Sequence, residues 1–238
     1  MSRQDPRFDI ETSEYEQERH VFDMCRWINE KLAQMEQDAD FNTIYFERKG
    51  TNVKRFLEEA IPVACLGLHF FKPFHDVFVQ CLVGNGPFDA TLRVRGYPGI
   101  NIPETKIKVE VTTTETDDST MRGQSVARHG FRWSSGRIKR VGREIESEPE
   151  IVDVDEQAEQ WITLAFNRVL DKLKKTSGSD TAILVYMDTY QPLDFCFREK
   201  LISTTEDYIR KEEPQVYGIY YCHSVEFLVD GLARHDVW

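Results

Sequence analysis

Apolar positions recur at helical spacing from residue 13 to about 36: Val21, Met24, Cys25, Ile28, Leu32 and Met35. This predicts one amphipathic helix, with Thr12 or Ser13 as its cap. A second helical pattern runs from 52 to about 68 behind Thr51, a candidate N-cap, and Pro62 within it predicts a kink or a boundary. The period then changes to two. Val77, Val79, Cys81 and Val83 alternate along 75–83, and 88–94 returns as a hairpin partner after the turn Gly84-Asn85-Gly86-Pro87. A third strand is expected at about 106–114. A long helix follows at about 155–175, carrying Ala158, Trp161, Ile162, Ala165, Val169, Leu170 and Leu173. The run 182–187 is continuously apolar, as a strand buried on both faces should be. A last helix at 195–210 and a strand at 216–222 complete the pattern. The order of helix, three strands, helix, strand, helix, strand predicts an α/β fold, with helices around one mixed sheet.

The same alternation sorts polar side chains onto one face. On the third strand Val109 and Val111 point one way, and Lys108, Glu110 and Thr112 the other. Asp89 opens the neighbouring strand. Two carboxylates on adjacent strands, converging with a lysine, can hold a divalent cation at a phosphodiester. Read without that chemistry, Asp89 caps its turn and Glu110 belongs to a half-solvated strand face.

Composition narrows the setting. A chain of 238 residues with 40% apolar content supports one sizeable domain. The expected division is a flexible segment at 1–12, a helical arm at 13–50 and an α/β domain at 51–238. No apolar run reaches membrane-span length, and the polar start Met1-Ser2-Arg3-Gln4-Asp5 does not read as a signal peptide. Five scattered cysteines without a Cys-x-x-Cys pair point to buried free thiols and a cytoplasmic setting. Cys222, His223 and Glu226 form a zinc corner on paper, but no second ligand pair accompanies them. The formal charge of −11 argues against a general polyanion-binding surface. Its distribution is uneven: from 119 to 143 there is no acid, while Arg122, Arg128, Arg132, Arg137, Lys139, Arg140 and Arg143 are basic. This insertion is expected as a small hairpin turning at Ser134-Ser135-Gly136, or a flap. A solvated arginine-rich loop is the plainer alternative.

Over about residues 52–190, the element order with Pro87-Phe88-Asp89 and Glu110-Val111-Thr112 resembles the PD-(D/E)XK nuclease superfamily, the restriction-endonuclease-like fold. The resemblance implies a Mg²⁺ or Mn²⁺ ion held by Asp89 and Glu110, with Glu59 or its neighbour Glu58 as an additional ligand. It implies hydrolysis of DNA, with RNA as the other candidate substrate. Arg132, Arg137, Lys139, Arg140 and Arg143 would hold the phosphate backbone, and a homodimer would cut both strands. The family lysine is replaced by Thr112. Lys108 lies two residues before Glu110 on the same strand face, about 6–7 Å along it, and is the first candidate for its role. Alternatively the cation comes from the 155–175 helix or the arginine-rich segment. The remaining alternative is a catalytically inactive nuclease-like domain that binds nucleic acid or a protein partner.

Overall fold

In the computed structural model, which describes residues 8–84, 86–100, 103–129, 137–142, 144–148, 151, 153–176, 178–187, 195–223 and 236–237, the first helical pattern is split. A single turn, α1 (Thr12–Tyr15), leads into a short strand, β1 (Arg19–His20), and only then into α2 (Val21–Glu36). The cap is therefore neither Thr12 nor Ser13. The His20 ring accepts the Phe22 amide at 3.4 Å and so starts α2 next to the strand. The 13–50 segment shares a core with the sheet. Phe8, Ile10, Tyr15, Val21, Met24 and Ile28 are buried in one cluster with Val77, Val79, Leu92, Val109 and Val111.

A short helix that the periodicity did not reveal, α3 (Phe41–Phe46), precedes α4 (Val53–Arg55), a π-helical turn at Phe56–Ala60, and α5 (Ile61–Phe70). Thr51 does not cap this helix. Asn52 takes a left-handed conformation (φ 58°) and donates through Nδ2 to the Ile10 carbonyl at 2.9 Å, tying the helix start to the N-terminal segment. Pro62 has no N–H for the carbonyl of Glu58, and its ring crowds that carbonyl. The helix widens into the π turn directly upstream of the proline. The wider turn draws two successive acids inward: Glu58 is buried and Glu59 half-buried.

The sheet follows the period-two pattern. β2 (His75–Cys81), β3 (Ala90–Gly96) and β4 (Thr105–Thr113) are antiparallel. After an insertion come α7 (Val154–Leu173), β7 (Gly178–Met187), α8 (Phe195–Glu212) and β8 (Val216–His223), with β4, β7 and β8 parallel. A two-residue strand, β9 (Asp236–Val237), closes the edge, giving the order β1-β2-β3-β4-β7-β8-β9 among the described residues. The fold is thus α/β, a mixed sheet flanked by helices. β7 divides its side chains between two cores. Ala182, Leu184 and Tyr186 face α2 and α5, whereas Ile183, Val185 and Met187 pack under α7 and α8 with Ile162, Ala165, Val169 and Leu201.

The insertion differs from the expected hairpin. It begins with a helix, α6 (Asp117–His129), followed by β5 (Arg137–Val141) and β6 (Glu144–Glu148). The hairpin turn falls at Gly142 (φ 64°); Ser134, Ser135 and Gly136 lie outside the described residues. Serine, threonine and glycine depress helix propensity in α6 and mask it from periodicity. Gly123 has a packing reason, since a Cβ there would meet the Phe46 carbonyl oxygen of α3 at 2.6 Å.

Candidate active site

The pairing of β3 with β4 ends at Ala90 and Val109, while β4 continues beside β7 through Thr113. The antiparallel hairpin thus leaves β4 at Glu110, and Asp89 stands at the point of departure. Its amide donates to the Val109 carbonyl at 2.9 Å, and its Oδ2 accepts the Val111 amide at 2.7 Å. The carboxylate takes the amide that a continuing strand would have taken with a carbonyl. One interaction ends the ladder and orients Asp89 beside Glu110.

The Asp89 charge acts on two further carboxylates, Glu110 and Glu59. Burial raises the Glu110 pKa, and the nearby Asp89 charge adds to the rise. Glu59, projecting from the π turn, is pushed up to about 7, first by burial and then by Asp89. Tyr15, itself fully buried, donates its hydroxyl toward Glu59 Oε2 at 3.2 Å. Arg55 supplies the larger cationic influence at Glu59, and at Glu110 the cation is Lys172, near the end of α7. Its Nζ forms an ion pair with Glu110 Oε1, and its charge offsets part of the rise at both Glu110 and Glu59. Lys175 acts on Glu110 in the same direction.

Lys108 is directed elsewhere. Its Nζ lies 2.8 Å from Asp180 Oδ2 and 5.7 Å from the centre of the Phe88 ring. It shares a strand face with Glu110, as the alternation predicts, but Asp180, at the start of the adjacent parallel strand, supplies a nearer anion. Nothing in the local sequence marks Lys172. It sits on the flank of an amphipathic helix, and only the packing of α7 over β4 brings it to Glu110. Glu58 points away from this cluster, toward Arg48 at 3.6 Å and Lys54 at 3.8 Å. Its pKa is raised by burial and by Glu115.

The basic segment is not a bare cationic surface. The β5–β6 register sets Arg137 opposite Glu148 and Lys139 opposite Glu146, and Lys139 reaches Glu146 Oε2 at 3.2 Å. Arg140 falls on the other face and donates to the Gln124 side chain on α6. Arg128 of α6 lies 3.8 Å from Glu47. Arg132 and Arg143 lie outside the described residues. The acids that balance this run come just after it in sequence, on the returning strand.

A magnesium ion suits the donor set at Asp89 and Glu110, which is made of hard carboxylate oxygens whose mutual repulsion a cation relieves. Among the described residues, no three His, Cys, Asp or Glu side chains are grouped closely enough to hold a metal by themselves. Asp89 and Glu110 could hold such an ion only with its remaining positions filled by other ligands, as Mg²⁺ commonly allows with water. Among the described residues no helix is long and apolar enough to cross a membrane. No protein-family model, curated protein or solved structure matches this chain.

Proposed function

We propose that this protein is a metal-dependent nuclease of the restriction-endonuclease-like class, hydrolysing phosphodiester bonds of DNA at the point where β3 leaves β4. The single observation that carries this reading is the ion pair between Lys172 and Glu110 beside Asp89. It provides the acid-and-lysine chemistry of such sites without a lysine two residues after the glutamate. Asp89 and Glu110 would hold Mg²⁺ or Mn²⁺, with Glu59, which feels the Asp89 charge, as a further acid of the site. The ion supplies a Lewis acid for the phosphate and a lowered pKa for water.

The remaining steps belong to the chain. The backbone bond from Val111 fixes the Asp89 carboxylate so that little reorganisation is needed on binding. Lys172, held by Glu110, presents its remaining N–H donors to the attacking water or to a phosphate oxygen, where negative charge grows in the transition state. Tyr15 holds Glu59 in place. Lys108, neutralised by Asp180, takes no part.

A second reading has its own support. Glu110 already has a cationic partner and Asp89 a backbone partner, so the cluster also satisfies itself as the structural closure of a non-catalytic binding domain. Supercoiled-plasmid nicking with Mg²⁺ and Mn²⁺ separates the two. The nuclease reading expects cleavage by wild type that disappears in an Asp89→Asn/Glu110→Gln variant. Wild-type activity no greater than that of the double variant supports the binding domain.

A further inference from the structure

α7 carries more cationic chemistry than the ion pair with Glu110 uses. Its buried stripe is Ile162, Ala165 and Val169, packed against β7. Beside that stripe, Arg168 and Lys172 are four residues apart, and Lys175 follows just past the helix end. Residues at this spacing share a helix flank. All three act on β4 or on the segment that leaves it. Arg168 donates from Nη2 to the Glu115 carbonyl at 3.1 Å, Lys172 pairs with Glu110, and Lys175 lowers the Glu110 pKa.

Arg168 is the residue that stands out. Its Nε is buried with no hydrogen-bond partner among the described residues, an arrangement that costs desolvation without return unless an acceptor arrives. A guanidinium presents Nε–H and an Nη–H as a fork matched to two oxygens of one phosphate. The side chain as a whole is half-buried, so a modest swing about its stem offers that fork to an incoming ligand. Among the described residues, the acids near it are Glu115 and Asp171; Asp171 already pairs with Lys174 at 3.0 Å, and Glu115 acts on Glu58.

We propose that Arg168 and Lys175 form a seat for phosphates of the substrate strand, flanking Lys172 along α7. This site, rather than the β5–β6 hairpin, engages the nucleic-acid backbone. The proposal rests on the nuclease reading and adds the groups that position its substrate. Arg168 grips one phosphate through its fork, Lys175 attracts the adjoining phosphate as a point charge, and Lys172 between them faces the bond to be cut.

The test measures affinity and cleavage separately on the full-length chain. A fluorescent mixed-sequence DNA duplex is titrated in Ca²⁺ at several salt concentrations, and cleavage is followed in Mg²⁺. Arg168→Met should weaken binding about tenfold or more, and Lys175→Met a few-fold. Each should flatten the log–log salt slope by about 0.9, the change expected when one phosphate is no longer neutralised. At saturating substrate both should keep most of the cleavage rate, whereas Lys172→Met should lose far more in cleavage rate than in binding. Arg168→Lys restores charge but not the fork, so it should recover the salt slope and only part of the affinity. It also serves as the test variant if Arg168→Met does not fold. Wild-type affinity and slope in both Arg168 variants, with wild-type protein cleaving, would overturn the seat alone. Absence of both binding and cleavage in wild-type protein would overturn the nuclease reading and the seat with it.

Discussion

The β3–β4 junction and the β5–β6 hairpin treat charge in opposite ways. On the hairpin, register sets Arg137 and Lys139 opposite glutamates of the returning strand, and Lys139 pairs with Glu146 at an exposed surface. At the junction, acids far apart in sequence, Glu59, Asp89 and Glu110, are drawn together and partly buried, with Lys172 arriving from a helix more than sixty residues later. A run of like charge along a chain is therefore a poor guide to the local field. A strand partner can cancel it, while burial magnifies a few scattered charges.

The largest effect that distinguishes the two regions should be catalytic. Glu110→Gln should reduce Mg²⁺-dependent plasmid nicking at least about a hundredfold, as expected for removal of a group that acts on transition-state charge. Arg137→Ser/Lys139→Ser should leave nicking within about threefold of wild type and the salt slope within about one unit. A flattened slope on the hairpin variant, with no effect at Glu110, would invert the comparison.

The next effect is on stability and its pH dependence. A carboxyl whose folded pKa lies above its unfolded value contributes stability that is complete below about pH 4.5 and declines as pH rises through the folded value. Glu59, with its pKa near 7, should therefore reduce folding stability by an amount on the order of 2 kcal/mol between pH 4.5 and 8. Glu110 acts in the same direction. Urea denaturation across that range should show the decline, and Glu59→Gln should reduce it. Mg²⁺ should raise stability more at pH 8 than at pH 5, because metal and proton compete for the same oxygens. An equal response to Mg²⁺ at both pH values would argue against the metal at these acids.

A smaller effect tests the insertion. Gly123→Ala should destabilise by about 1–3 kcal/mol, because its new Cβ meets backbone rather than a flexible side chain. Removal of the Lys139–Glu146 pair, being exposed, should cost less than about 1 kcal/mol. Thermal melts of the two variants check the ranking.

What could be read from the sequence follows physical scale. Period-two alternation located β2, β3 and β4 and set Lys108, Glu110 and Thr112 on one face, because side-chain direction in a strand is a property of adjacent residues. The continuous run at 182–187 announced a strand covered on both sides, and β7 is so covered. Lys172 was not legible as an individual residue. The 155–175 helix was one of several places from which a cation might come, but its reach to Glu110 depends on how α7 lies across the sheet. α6 was hidden by weak helix formers, and its Gly123 makes sense only against Phe46. The inward turn of Glu59 together with Glu58 required the π turn before Pro62, which ordinary helical spacing does not anticipate.

On the nuclease reading the cation of the site comes from α7 and not from β4. The most direct measurement compares Lys172→Met and Lys108→Met with wild type in Mg²⁺-dependent nicking of supercoiled plasmid, with Mg²⁺ binding by calorimetry as a check on the carboxylates. Lys172→Met should lose at least about a hundredfold in rate while Lys108→Met stays within about threefold, both still binding the ion. Full activity in Lys172→Met, or its loss in Lys108→Met alone, would contradict it.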